Sequence, residues 1–242
     1  MLKSTAVKIG LVLLILSSFP LFSMGREAYI NNKILGRYEM MTAGNQDGYP
    51  KALDSRLEEV NGYQIEIVEE PTGRKETLME HEIEFGEVPR EIVMAQIVVD
   101  GQTISEPYEI KLGARMDHTR YFSYIEILTV KDKKEQKERV AILVTREPDD
   151  VGAKGGVWDI FWLDGDSVTK ETFSLSERGN HLAARMINYA GLSNMSFGYY
   201  SDINHYYPTL AFPIIYPFGT VVIGILLFIF GGSYAVIRTY IK

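Results

Sequence analysis

The stretch Phe218–Ile237, FGTVVIGILLFIFGGSYAVI, constrains this chain more than any other. It runs twenty residues without a charge, about 30 Å of helix at 1.5 Å per residue. The hydrocarbon core of a bilayer is about as thick, so the stretch reads as a transmembrane helix. Arg238 and Lys242 follow it at once, whereas no Lys or Arg occurs between Arg185 and Arg238. The approach to the helix is aromatic instead, with Tyr199, Tyr200, Tyr206, Tyr207 and Tyr216 as candidate membrane-interface residues. Basic residues mark the cytoplasmic end and amphipathic rings settle at the interface. The expected topology has the C-terminus in the cytoplasm and the body of the protein outside the cell membrane.

The N-terminus offers a second apolar segment. Met1–Lys8 is short and basic, Ile9–Leu16 is apolar, and Ser23-Met24-Gly25 is a small-x-small triplet. That is the layout of a cleavable signal peptide ending before Arg26. Ile9–Gly25 is also seventeen uncharged residues, about 26 Å of helix, which reaches the lower limit for an uncleaved anchor. Pro20 counts against the anchor, because proline interrupts a helix. Both readings stay open, and both put the same domain on the same side.

Charge narrows the function classes. Residues 1–25 and 209–242 contain Lys3, Lys8, Arg238 and Lys242 and no acid, so the segment between them holds 21 basic and 32 acidic residues, a net −11. An acidic body is a poor nucleic-acid binder, since that affinity rests on neutralising phosphates. The chain has no cysteine, which excludes disulfides, thiolate metal sites, a cysteine nucleophile and a lipidated N-terminal cysteine.

Domain organisation follows in order: 1–25 signal peptide or anchor, 26–50 juxtamembrane helix and linker, 51–208 extracytoplasmic domain, 209–237 interfacial segment and transmembrane helix, 238–242 tail. Ile30, Ile34 and Tyr38 at helical spacing predict a short helix over Glu27–Met41. Beyond it the pattern turns strand-like. Tyr63–Ile67 alternates with period two behind the turn pair Asn61-Gly62, and Pro71-Thr72-Gly73 predicts the next turn. His81, Ile83 and Phe85 share one face of a further strand. Ile92–Val99 reads as a buried central strand entering a tight hairpin at Asp100-Gly101. Tyr108–Leu112, Tyr121–Val130 and Val140–Thr145 are further strands. Val157–Leu163 and Val168–Ser174 pair across Asp164-Gly165-Asp166. One late helix is predicted, capped by Asn180, striped by Leu182, Met186 and Tyr189, and closed at Gly191. The fold class is mainly β, antiparallel sheets forming a sandwich or curved sheet, with one or two short helices besides the membrane segments.

No motif in the domain carries a specific chemistry. The four histidines, His81, His118, His181 and His205, have no metal-site spacing, and no HExxH, GxSxG, GxxxxGK[ST] or GxGxxG occurs. Asp164-Gly165-Asp166-Ser167 begins like a calcium loop but fails at Val168 and Thr169. Glu147–Gly156 reads as a loop between strands and a candidate contact loop. Trp158, Ile160 and Trp162 share one strand face, and Phe161 and Leu163 on the other predict that both faces are covered, hence core. No catalytic, cofactor or metal residue is nominated. In the C-terminal helix, Gly224, Gly231 and Ala235 form one small-residue stripe of the kind that lets helices approach closely. Its partner would be the N-terminal segment or another chain. The expected function is a membrane-anchored binding or assembly module with the bilayer and a protein as partners, an accessory subunit of a membrane complex. The alternative is a tethered extracytoplasmic hydrolase with dispersed catalytic residues.

Overall fold

The computed structural model describes residues 2–43, 57–76, 89–112, 120–121, 124–146, 156–174, 181–192 and 214–240. The chain divides into two compact units, Ile34–Asn194 and the pair of segments Met1–Lys33 and Met195–Lys242. The predicted strand at His81–Phe85 and the cap at Asn180 lie outside the described residues.

The larger unit holds two five-stranded antiparallel sheets. The strands are β1 (Tyr38–Thr42), β2 (Leu57–Val60), β3 (Tyr63–Lys75), β4 (Glu91–Val99), β5 (Gln102–Thr103), β6 (Tyr108–Lys111), β7 (Ile125–Asp132), β8 (Lys137–Thr145), β9 (Val157–Asp164) and β10 (Ser167–Ser174). One sheet runs β1-β7-β8-β9-β10; the other runs β2-β3-β4-β5, with β6 also on β4. Two-residue turns join neighbours where the sequence supplies residues that accept positive φ. These are Asn61-Gly62 (φ 51° and 85°) and Asp100-Gly101 (φ 49° and 79°), as such hairpins require.

Period-two alternation puts one face of each sheet into a common core. Ile65, Ile67, Val93, Ala95, Ile97 and Ile110 from one sheet meet Ile125, Ile127, Val140, Ile142, Val144 and Phe161 from the other, which makes a sandwich. The β7-β8-β9 sheet is covered on its second face too. Leu128, Ala141, Leu143, Ile160 and Trp158 are buried there, and the Trp158 indole N–H donates to the Leu192 carbonyl at 3.4 Å. That contact brings the C-terminal turn of α2 (His181–Tyr189) against this face.

Three local expectations change. Pro71-Thr72-Gly73 is a bulge inside β3 and no turn. The register with β4 jumps from Pro71↔Val93 to Arg74↔Ile92, and the Thr72 hydroxyl donates to the Ile92 carbonyl at 2.5 Å, occupying an acceptor at the break. The predicted 27–41 helix is no separate element. α1 (Leu2–Arg37) is continuous from the apolar segment, and Tyr38–Thr42 is the edge strand β1 instead. Its switch point is set by the β7–β8 turn, where the Lys133 N–H takes the Arg37 carbonyl at 2.8 Å and the Arg37 guanidinium bonds Asp132 and Glu135. α2 buries Ala183, Ala184, Met186 and Ile187, and Tyr189 is exposed.

Trp158 and Trp162 are the only tryptophans, and both are buried. Their emission is expected to be blue-shifted and poorly quenched by iodide. Red-shifted, readily quenched emission would contradict this packing.

Candidate functional site: the paired apolar helices

The smaller unit is built on α1 and on α3 (Thr220–Tyr240), which is preceded by Ile214–Gly219, a segment kinked at Tyr216, where the backbone is extended (φ −128°, ψ 127°). Both helices are long and apolar enough to cross a membrane. The 21 residues of α3 amount to about 32 Å.

The two helices run antiparallel and touch backbone to backbone. A Cβ added at Gly10 would lie 2.8 Å from the Gly224 carbonyl oxygen and 3.0 Å from the Phe228 nitrogen; one added at Gly224 would lie 3.1 Å from the Gly10 oxygen. Gly231 lies over Ala6 and Val7, with the Val7 Cγ2 3.0 Å from its Cβ position. Small residues permit this approach, and without a hydrophobic drive between helices in lipid the gain is van der Waals contact. Sequence reading nominated the α3 side of this contact; Gly10, its counterpart on α1, was missed. The described side chains do not include Ala235, and Tyr199, Tyr200, Tyr206 and Tyr207 lie outside the described residues.

Polar groups close the other end of the contact. Ser17, 0 % exposed, shares a 2.7 Å hydrogen bond with the Thr220 hydroxyl. The Tyr216 hydroxyl donates to the Leu16 carbonyl at 3.0 Å. Away from the contact, Phe19, Phe22, Ile223 and Phe230 point outward and are exposed, as suits segments solvated by lipid. Pro20, expected to interrupt the helix, sits inside α1 without ending it.

The larger unit has buried charge, and its arrangement is structural. Asp159 on β9 is 0 % exposed. It accepts from both Nε and Nη2 of Arg146 at 2.9 Å, from the Tyr108 hydroxyl at 2.6 Å and from the Thr172 hydroxyl at 2.7 Å. Lys170 Nζ is 3.1 Å away. Burial alone would raise its pKa, but the donors led by Arg146 and Tyr108 outweigh that and hold it at about 2. Tyr108 belongs to the facing sheet, so the cluster ties the sandwich together. Burial and the bond to Asp159 push the Tyr108 phenol well above its ordinary value. A second tie joins Glu69 to Arg120, bidentate at 2.6 Å, and to the Tyr121 hydroxyl at 2.5 Å. With five donors on two oxygens and no access to solvent, Asp159 has no lone pair left for a substrate.

Two further features lie in the larger unit. Burial pushes the Glu126 carboxyl up to about 7. An open groove of about 490 Å³ runs between the hairpin turns of the two sheets, lined by Tyr63, Val99 and Val168 and by Asp100 and Asp166. Among the described residues no group of three His, Cys, Asp or Glu side chains could hold a metal ion. Residues 147–155 of the expected contact loop lie outside the described residues.

Comparison of the chain with protein-family models, with curated proteins and with solved structures finds no match.

Proposed function

We propose that this chain is a membrane-anchored, extracytoplasmic binding or assembly module that serves as an accessory subunit of a membrane complex. The antiparallel pairing of α1 and α3 carries the reading. Residue 7 lies beside 231 and residue 10 beside 224, so both chain ends leave the pair at the same end. In the sequence those ends hold Lys3, Lys8, Arg238 and Lys242 and no acid, and such residues collect on the cytoplasmic side. The connecting chain then emerges on the far side of the membrane. The sandwich supports a binding role, because its wholly buried acid Asp159 is spent on tying the two sheets together. Its edge strands support assembly: among the described residues β10 ends one sheet and β2 the other, and an edge strand is where a partner strand adds.

Protease added to spheroplasts containing C-terminally tagged protein is expected to digest the β domain and leave a tagged fragment in the membrane. Full protection would overturn the topology. Purification in mild detergent is expected to bring a stoichiometric membrane partner; a chain that migrates alone would overturn the subunit assignment.

A further inference from the structure

We infer that the N-terminal apolar segment is retained in the mature protein as the intramolecular partner of α3, and that Tyr216 makes this possible by supplying a hydrogen bond that Pro20 cannot. The inference rests on the reading that both helices lie in the membrane.

Proline has no N–H, so in an α-helix the carbonyl four residues earlier loses its donor. For Pro20 that carbonyl belongs to Leu16. In water the loss is met by solvent, but in hydrocarbon an unsatisfied carbonyl costs several kcal/mol and the partner must come from protein. The Tyr216 hydroxyl occupies that position, 3.0 Å from the Leu16 oxygen. One residue on, Ser17 is wholly buried and bonded to Thr220. Two polar groups of α1 at adjacent positions are thus satisfied by the C-terminal segment, about 200 residues away in sequence. Removing α1 at a cut before Arg26 would reverse both. Tyr216 and Thr220 would lose these partners at the entry to the spanning helix, and Gly224 would face lipid where it now faces Gly10. The small-x-small triplet Ser23-Met24-Gly25 is itself helical, in the interior of α1.

The chain's lack of cysteine makes the test clean. Full-length Ser17→Cys/Thr220→Cys protein is expressed in membranes, oxidised mildly and weighed intact. The 2.7 Å between the two hydroxyl oxygens suits a disulfide, whose sulfurs sit about 2.05 Å apart. The expected product is a monomer of full length, near 27.5 kDa, that stays linked after proteolysis within the β domain. A chain beginning at Arg26 overturns retention but leaves the protease-accessible topology standing. Full-length chains cross-linked as dimers overturn the intramolecular pairing. The role of Tyr216 has its own readout. Tyr216→Phe is expected to lower the cross-linked fraction roughly fivefold, the scale of one hydrogen bond. In a Pro20→Ala background, where residue 20 regains its N–H, the same change is expected to do little. Equal losses in both backgrounds would overturn the proposed exchange.

Discussion

Asp159→Ala is expected to destabilise the β sandwich by about 3–5 kcal/mol, the usual cost of removing one partner of a buried ion cluster. The loss is large because of what stays behind. Arg146 and Lys170 both reach for the vacated carboxylate, and Tyr108 and Thr172 lose the acceptor of their hydroxyl protons. Asp159→Asn keeps the shape and one acceptor oxygen but removes the charge, so an intermediate loss is expected. The pH dependence has a definite sign. The carboxyl is held at about 2, below its ordinary value of 3.8, so the folded state favours the ionised form. Its contribution, about 2 kcal/mol for such a shift, is complete above roughly pH 4 and disappears as pH falls towards 2. Denaturant unfolding of the full-length protein, followed by the emission of the buried Trp158, measures both. A change within about 1 kcal/mol for Asp159→Ala, with the acid limb unaltered, would show that the cluster contributes little.

The second large effect belongs to the helix pair. Gly10→Leu is expected to separate α1 from α3, because even its first carbon would lie 2.8 Å from the Gly224 carbonyl and 3.0 Å from the Phe228 backbone nitrogen. These are backbone atoms with no rotamer to turn away, so the helices must move apart. Overpacking of this kind costs about 1–3 kcal/mol, and here it also pulls Ser17 from Thr220 and Tyr216 from Leu16. Formation of the Ser17→Cys/Thr220→Cys disulfide is expected to fall by about tenfold or more. Leu11→Ala, whose side chain points outward, serves as the control and is expected to leave the cross-link unchanged. An unaltered cross-link in Gly10→Leu would overturn the contact.

These two sites differ in how far they could be read from the chain. Gly224 and Gly231 stand out as small residues in an apolar helix, because close approach has a compositional signature. Gly10 carries the same chemistry but sits in a segment that doubles as a signal peptide, so its contact was legible only once its partner was placed. Pro20 was read by its local rule alone, as a helix interrupter. The rule fails because a hydroxyl from residue 216 satisfies the carbonyl that proline leaves open. Asp159 was one polar residue in an apolar strand. Its donors come from positions 108, 146, 170 and 172, and no spacing in the sequence announces them.

What the sequence determined by itself is what depends on neighbours along the chain. Period-two alternation set which faces of β3, β4, β7, β8 and β9 meet in the core. Asn61-Gly62 and Asp100-Gly101 set their hairpins through positive φ, and uncharged length set the two apolar helices. Tertiary structure decided what depends on distant partners. It turned Pro71–Gly73 into a bulge held against Ile92, ended α1 at Arg37 against the β7–β8 turn, and chose Ala183, Met186 and Ile187 as the buried face of α2. The physical reason is common to all three. An unsatisfied carbonyl, a charged side chain and an apolar face each have several local solutions, and burial against a specific distant group selects one.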